Sequence, residues 1–147
     1  MGPMRKLQFR CLACLLLFMT NCGGYDSERL SITLSPNAAT IPVSSSSDFH
    51  ANGTFGKYTF INWTVAEAAS LGVSCTVQVT PPEPPPAPPP ACTQTGGWIS
   101  VPFSTGFIAS TNVTYHSPST PGTYHIDAVA TQGNASGIAH ATVNVVP

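Results

Sequence analysis

YHIDAVAT (Tyr124–Thr131) and IAHATVNVV (Ile138–Val146) are the two stretches whose reading decides the fold. In both, apolar and polar residues alternate with a period of two, the pattern of a strand with one buried and one solvated face. They flank the turn-forming run Gln132–Gly137 and therefore read as an antiparallel hairpin. Tyr124, Ile126 and Ala128 point inward. That leaves His125, Asp127 and His140 together on the outer face, where an Asp127–His140 cross-strand pair is worth only ~0.2–1 kcal/mol.

The same alternation recurs upstream in shorter pieces. LSITL (Leu30–Leu34) is a half-buried strand closed by the turn signal Ser35-Pro36-Asn37. ATIPV (Ala39–Val43) follows, and Pro42, which has no N–H to give a ladder, assigns it to a sheet edge. Ser44–Ser47 is a loop and FHANGT (Phe49–Thr54) the next strand. YTFINWTV (Tyr58–Val65) sets Ile61, Trp63 and Val65 on one face and Phe60, Asn62 and Thr64 on the other. Ala66–Leu71 has room for one helical turn; Val73–Val79, Trp98–Val101 and Val113–His116 are further β-type runs. The chain therefore reads as all-β, with about seven short strands, turn signals at intervals of about 8–12 residues and a core tryptophan, Trp63. These are the features of an immunoglobulin-like β-sandwich. No second copy of the pattern exists, so residues 30–147 form one domain.

Residues 75–110 interrupt the rhythm as an irregular, proline-rich insertion. Pro81–Ala91 (PPEPPPAPPPA) is expected to be polyproline II rather than helix or sheet. Cys75 and Cys92 bracket it and are expected to form a disulfide that pins it as a loop. A straight polyproline II segment would hold these cysteines roughly 30 Å apart. Closure therefore requires a fold-back, absorbed at Val79-Thr80 and Thr93–Gly97.

Composition narrows the function. Of 147 residues only 7% are charged, against ~25% in an average soluble protein, and 15 are proline. Beyond residue 21 the only Lys or Arg residues are Arg29 and Lys57, facing six acidic residues. No basic stripe exists to neutralise phosphates, which excludes nucleic-acid binding. The first 21 residues hold Arg5, Lys6 and Arg10, then the uncharged apolar run Cys11–Met19, too short to span a bilayer. That is the organisation of an export signal. Gly23-Gly24 and the polar residues up to Arg29 read as a tether, 22–29.

Two resemblances follow. Met19-Thr20-Asn21-Cys22 resembles the box of a bacterial lipoprotein signal, with Asn21 larger than the Gly, Ala or Ser usual at its position. The resemblance implies cleavage before Cys22, acylation of Cys22, and attachment to membrane lipid in the cell envelope outside the cytoplasm. An ordinary secretory signal, and a secreted protein, is the alternative. Ile32–Pro36 with Ala39–Val43, Asn62–Val65, and Val113–Pro118 with Thr120–Tyr124 and Ala139–Val145 resemble bacterial immunoglobulin-like (Big-type) domains of surface proteins. That resemblance implies a non-enzymatic role in binding, adhesion or structure, with an envelope protein or polysaccharide as partner.

No cofactor motif is present. The spacing of His50, His116, His125 and His140 matches no zinc pattern, and no nucleophile-elbow motif supports a Ser/His/Asp triad. The domain is therefore read as no enzyme. The alternative is a carbohydrate-binding module in which Trp98, Tyr58, Phe103 and Phe107 contact the sugar; packing beneath the insertion is the competing use of these aromatics.

Overall fold

A computed structural model describes residues 29–80, 87–103 and 110–147. The expected leader (1–21), Cys22 and the expected tether up to residue 28, most of the proline run and Phe107 lie outside the described residues.

Nine strands and two short helices are described, in the order β1 (Ile32–Ser35), β2 (Ala38–Pro42), β3 (Ser46–Gly53), β4 (Phe60–Val65), α1 (Ala66–Ser70), β5 (Thr76–Val79), α2 (Pro90–Thr95), β6 (Trp98–Pro102), β7 (Asn112–His116), β8 (Gly122–Gln132) and β9 (Ala135–Val146). They form a five-stranded sheet, β1-β3-β7-β6-β5, and a four-stranded sheet, β2-β9-β8-β4. With β1, β3, β7 and β6 taken as strands A, B, E and D, and β4, β8 and β9 as C, F and G, this is the strand order of an immunoglobulin-like sandwich. The first segment splits between sheets: β1 pairs antiparallel with β3, the chain turns through a cis Ser35–Pro36 peptide, and β2 pairs parallel with β9. Pro42 lies on an edge strand, as its missing N–H requires.

The hairpin is tighter than the sequence pattern implied. β8 and β9 pair without a break from Gly122↔Val145 to Gln132↔Ala135, leaving only Gly133 and Asn134 as the turn. Gly133 has φ 59° at the first central position, where a two-residue II′ turn needs glycine. Polar residues of 132–137 thus belong largely to the strands, because a ladder tolerates Thr, Ser and Gln on its solvated face.

Trp63 is the centre of the core. It is 1% exposed, and its indole Nε1 donates to the Ser110 carbonyl at 3.0 Å. Its row across the four-stranded sheet continues through Ala128 and Ala139, small residues that leave volume for the indole. From the opposite sheet come Phe49 and Tyr115, edge to face at 6.4 Å, with Ile99. The register makes Ile61, Trp63 and Val65 the inward side of β4, as the alternation implied.

The described residues of 75–110 are more regular than an irregular insertion. β5 and β6 pair in parallel, Thr76↔Ile99 to Val79↔Pro102, and β6 then pairs with β7. Both strands fall on runs read as β-type from sequence, and the nine described strands exceed the expected seven or so. Pro90 and Ala91 are helical, not polyproline II. Proline at the first helical position gives up an N–H that has no partner there anyway. β5 leads the chain away from Cys75, and the connection brings it back to α2, where Cys92 forms the disulfide with Cys75 at a Cα–Cα distance of 5.5 Å. The return is fixed at two further points. Gly97 (φ 84°) lies so close to β7 that a Cβ there would meet the His116 carbonyl oxygen. The buried Tyr115 hydroxyl donates to the Gly96 carbonyl at 2.6 Å, and burial pushes its pKa far above the usual phenol range.

The closed loop has a sequence separation of 17. Replacing Cys75 and Cys92 together by alanine is expected to lower unfolding free energy by about 3 kcal/mol, read from urea denaturation. Tyr115→Phe, which strands the Gly96 carbonyl in the core, should cost about 1–3 kcal/mol in the same assay. A loss near zero in either case would show that the return segment is not held there.

Candidate functional site

The outward side of β3, β7 and β6 carries the densest set of interacting polar and aromatic side chains. Phe49, Ala51, Val113, Tyr115 and Ile99 take the inward positions, and the alternating residues face out. Register stacks them in cross-strand rows: Ser46–His116–Trp98, then Asp48–Thr114–Ser100, with the His50–Asn112 pair beyond. Each row is stitched. The Trp98 and His116 rings lie parallel, 3.8 Å between centroids and 8° between planes. Thr114 Oγ1 donates to Asp48 Oδ1 at 2.7 Å. His50 Nδ1 and Asn112 Oδ1 are 2.6 Å apart. A surface hollow of about 300 Å³ opens between Asp48, Asn112, Thr114 and Pro102.

Ser100 and His116 are the pair that invites a catalytic reading, and the placement of Asp48 opposes it. Ser100 Oγ donates to the Thr114 carbonyl at 3.3 Å and lies 3.1 Å from His116 Nε2. Asp48 bonds Thr114 rather than His116, so no carboxylate orients the ring as a triad needs. Desolvation by burial lowers the His116 pKa below the ordinary imidazole value, with Asp48 opposing more weakly. His116 is therefore neutral at pH 7, an uncharged stacking platform for Trp98.

The outward side of the other sheet holds two histidine–carboxylate pairs. The expected Asp127–His140 pair is present, His140 Nδ1 to Asp127 Oδ1 at 2.7 Å across directly opposed residues. Glu67, in the first turn of α1, reaches β8 to meet His125 Nδ1 at 2.7 Å and accept from the His125 backbone N–H at 3.1 Å. Both pairs are exposed and of little energetic weight. No group of three His, Cys, Asp or Glu side chains is arranged to hold a metal among the described residues.

The sugar-contact set is not assembled as one platform. Trp98 sits at the start of β6 against His116, while Phe103 lies past the far end of the same strand, about 16 Å away at strand rise. Tyr58 precedes β4 in the other sheet, and Phe107 is outside the described residues. Sequence pattern missed the grouping of Trp98, His116, Ser100 and Asp48. Period-two alternation gives each residue its face, but only the β6–β7 and β3–β7 registers put these four side by side.

No family model matches the chain, and no curated protein matches it in sequence. Among solved structures it is similar to the PKD domain of human KIAA0319, at 11% identity over 86% of this chain and 88% of that one, with a TM-score of 0.48. It is also similar to a chain in the structure of T cell specificity and activation by the bacterial superantigen toxic shock syndrome toxin-1, at 10% identity over 80% of this chain and 99% of that one (TM-score 0.39). A third similarity is to titin kinase and its flanking domains, at 10% identity over 80% of this chain and 17% of that one (TM-score 0.37).

His116 gives a pH test. Its folded pKa is depressed, so below the ~6.5 of a free imidazole the unfolded chain takes up a proton more readily than the native one. Stability should fall as pH drops through that value and level off below the folded pKa. Urea midpoints at about pH 7.5 and about pH 5 should therefore fall further in the wild type than in His116→Gln. Equal losses would mean that the Trp98 stack does not resist protonation.

Proposed function

We propose that this chain is an exported, lipid-anchored cell-envelope protein whose immunoglobulin-like domain is a non-enzymatic binding module. The outward side of β3, β7 and β6 is its ligand face, and the carrying observation is the state of that face. Its hydroxyls, imidazole and carboxylate are paired with one another across the strands of the sheet, which suits recognition by positioned polar groups. No carboxylate orients His116 as a triad needs.

Export is supported by the Cys75–Cys92 disulfide, since disulfides persist in oxidising compartments, and by the basic, then apolar, order of residues 1–21. Anchoring is supported by the likeness of Met19–Cys22 to a lipoprotein box, and by the cysteine count: with Cys75 and Cys92 joined, Cys22 is the single cysteine outside both the leader and the disulfide. The resemblance of the strand motifs to bacterial immunoglobulin-like domains supports an envelope protein or polysaccharide as partner. The aromatic set is dispersed, which favours an envelope protein over a sugar chain.

Intact mass of the membrane fraction tests the anchor. Wild-type protein should start at Cys22 and carry acyl chains, and Cys22→Ala should be unacylated and absent from that fraction. A soluble, unacylated wild type would overturn anchoring while leaving export to be judged from its N-terminus.

A further inference from the structure

One end of the sandwich exposes large apolar side chains beside Arg29 and Lys57, and it is the end at which the described chain begins. Arg29 bridges to Ser136 at the start of β9, and Leu30 N–H donates to the Ser136 carbonyl. Around that point lie three of the large apolar side chains that the fold leaves exposed: Tyr58 (57%), Phe60 (58%) and Ile138 (54%). Phe60 pairs with Thr131, which pairs with Ser136, and Ile138 is two residues further along β9, beside Val129 on the same outward face. The loop carrying Tyr58 is tied to this end through Gln132, whose Oε1 accepts from Thr59 Oγ1 at 3.1 Å. Lys57 Nζ lies 5.8 Å from the Tyr58 ring centroid. Arg29 and Lys57 are the only Lys or Arg residues beyond position 21, and both fall here. The described acids lie elsewhere, Glu67 with His125 beyond the far end of β4, Asp127 with His140, and Asp48 in the other sheet.

We infer that this end is a membrane-docking surface, seated on the bilayer to which Cys22 is attached. The inference rests on the anchoring proposed above. Seven Cα steps separate Cys22 from Arg29, a reach of at most about 25 Å, so the anchored chain holds this end within contact of the headgroups. Aromatic and aliphatic side chains with two cations among them are the chemistry of an interfacial contact, and because Asp26 and Glu28 adjoin Arg29 in sequence, apolar burial is its main source. The β2–β3 turn, the β7–β8 turn and the Trp98–His116 stack then point away from the membrane, toward a partner.

Single cysteines introduced at Phe60, Ile138 and Leu71 test it on the acylated full chain. Cys22 is then blocked and Cys75–Cys92 bonded, so each new thiol takes an environment-sensitive fluorophore alone. Leu71, 65% exposed just beyond α1 at the opposite end, is the control. On phosphatidylcholine vesicles containing bromine-tailed lipid, labels at Phe60→Cys and Ile138→Cys should be quenched at least about threefold more than the label at Leu71→Cys, because interfacial docking buries side chains by about 5–10 Å. Equal quenching at the three sites, on protein that floats with the vesicles, overturns the docking surface and leaves the anchor standing. Protein that does not float overturns both. Copies that crosslink through Phe60→Cys without lipid quenching assign the patch to self-association and overturn the proposal.

Discussion

The return of the chain from β5 to β6 is the constraint on which the candidate site depends. Parallel neighbours need a crossover, and crossovers are normally helices that bury an apolar face against the sheet. Here the crossover is rich in proline and offers little apolar surface for packing. Covalent and polar fastenings take over. The disulfide fixes α2 against the start of β5, the Tyr115 hydroxyl holds the Gly96 carbonyl, and Gly97 permits a backbone approach that any side chain would block. With those in place β6 enters beside β7 in the one register that sets Trp98 on His116 and Ser100 on Thr114. A slip by one residue would turn Trp98 into the core and Ile99 to solvent.

The two sheets divide the labour between bulk and surface. Phe49, Tyr115 and Ile99 come from the five-stranded sheet and Ile126 and Val143 from β8 and β9, which also line the inward side with Ala128, Ala130, Ala139 and Ala141. Small residues on one wall allow a single indole to fill the gap between layers, so much of the packing is concentrated on one residue. Outward positions carry Ser, Thr, Asn and His in place of the usual charges. That accounts for a 7% charged fraction in a folded domain, because hydroxyls and amides satisfy water and cross-strand neighbours alike.

Local pattern made part of this legible. Trp63, Ile61 and Val65 share a face by alternation alone, and Asp127 faces His140 because a hairpin fixes register from its turn. The disulfide was readable as the even pair left after the leader and Cys22 are set aside. The pairing of β6 with β7 was not readable, since nine residues separate them in sequence and nothing in either strand encodes the offset. Nor was the helix at Pro90: proline composition argues against helix interiors, but the first turn is where that argument lapses. The spacing of the aromatic set was not legible either. Tyr58, Trp98 and Phe103 are neighbours in type, and sheet topology separates them.

Topology also gives the domain a direction. In each sheet the strands run between the same two ends, so features far apart in sequence sort into two groups. Arg29, Lys57, Tyr58, Phe60, Ile138 and the Gly133 turn gather where the described chain begins. Trp98, His116, α1, α2 and the disulfide gather at the other end. A chain with only two Lys or Arg residues beyond position 21 has little means of attracting a surface by long-range charge, and at physiological ionic strength that attraction fades within about 8 Å. Contact at the entry end must therefore come from apolar burial backed by short-range charge, and it acts only if something else brings the surface near. The anchoring proposed at Cys22 would meet that requirement, and it would leave the polar, disulfide-braced end facing away from the membrane.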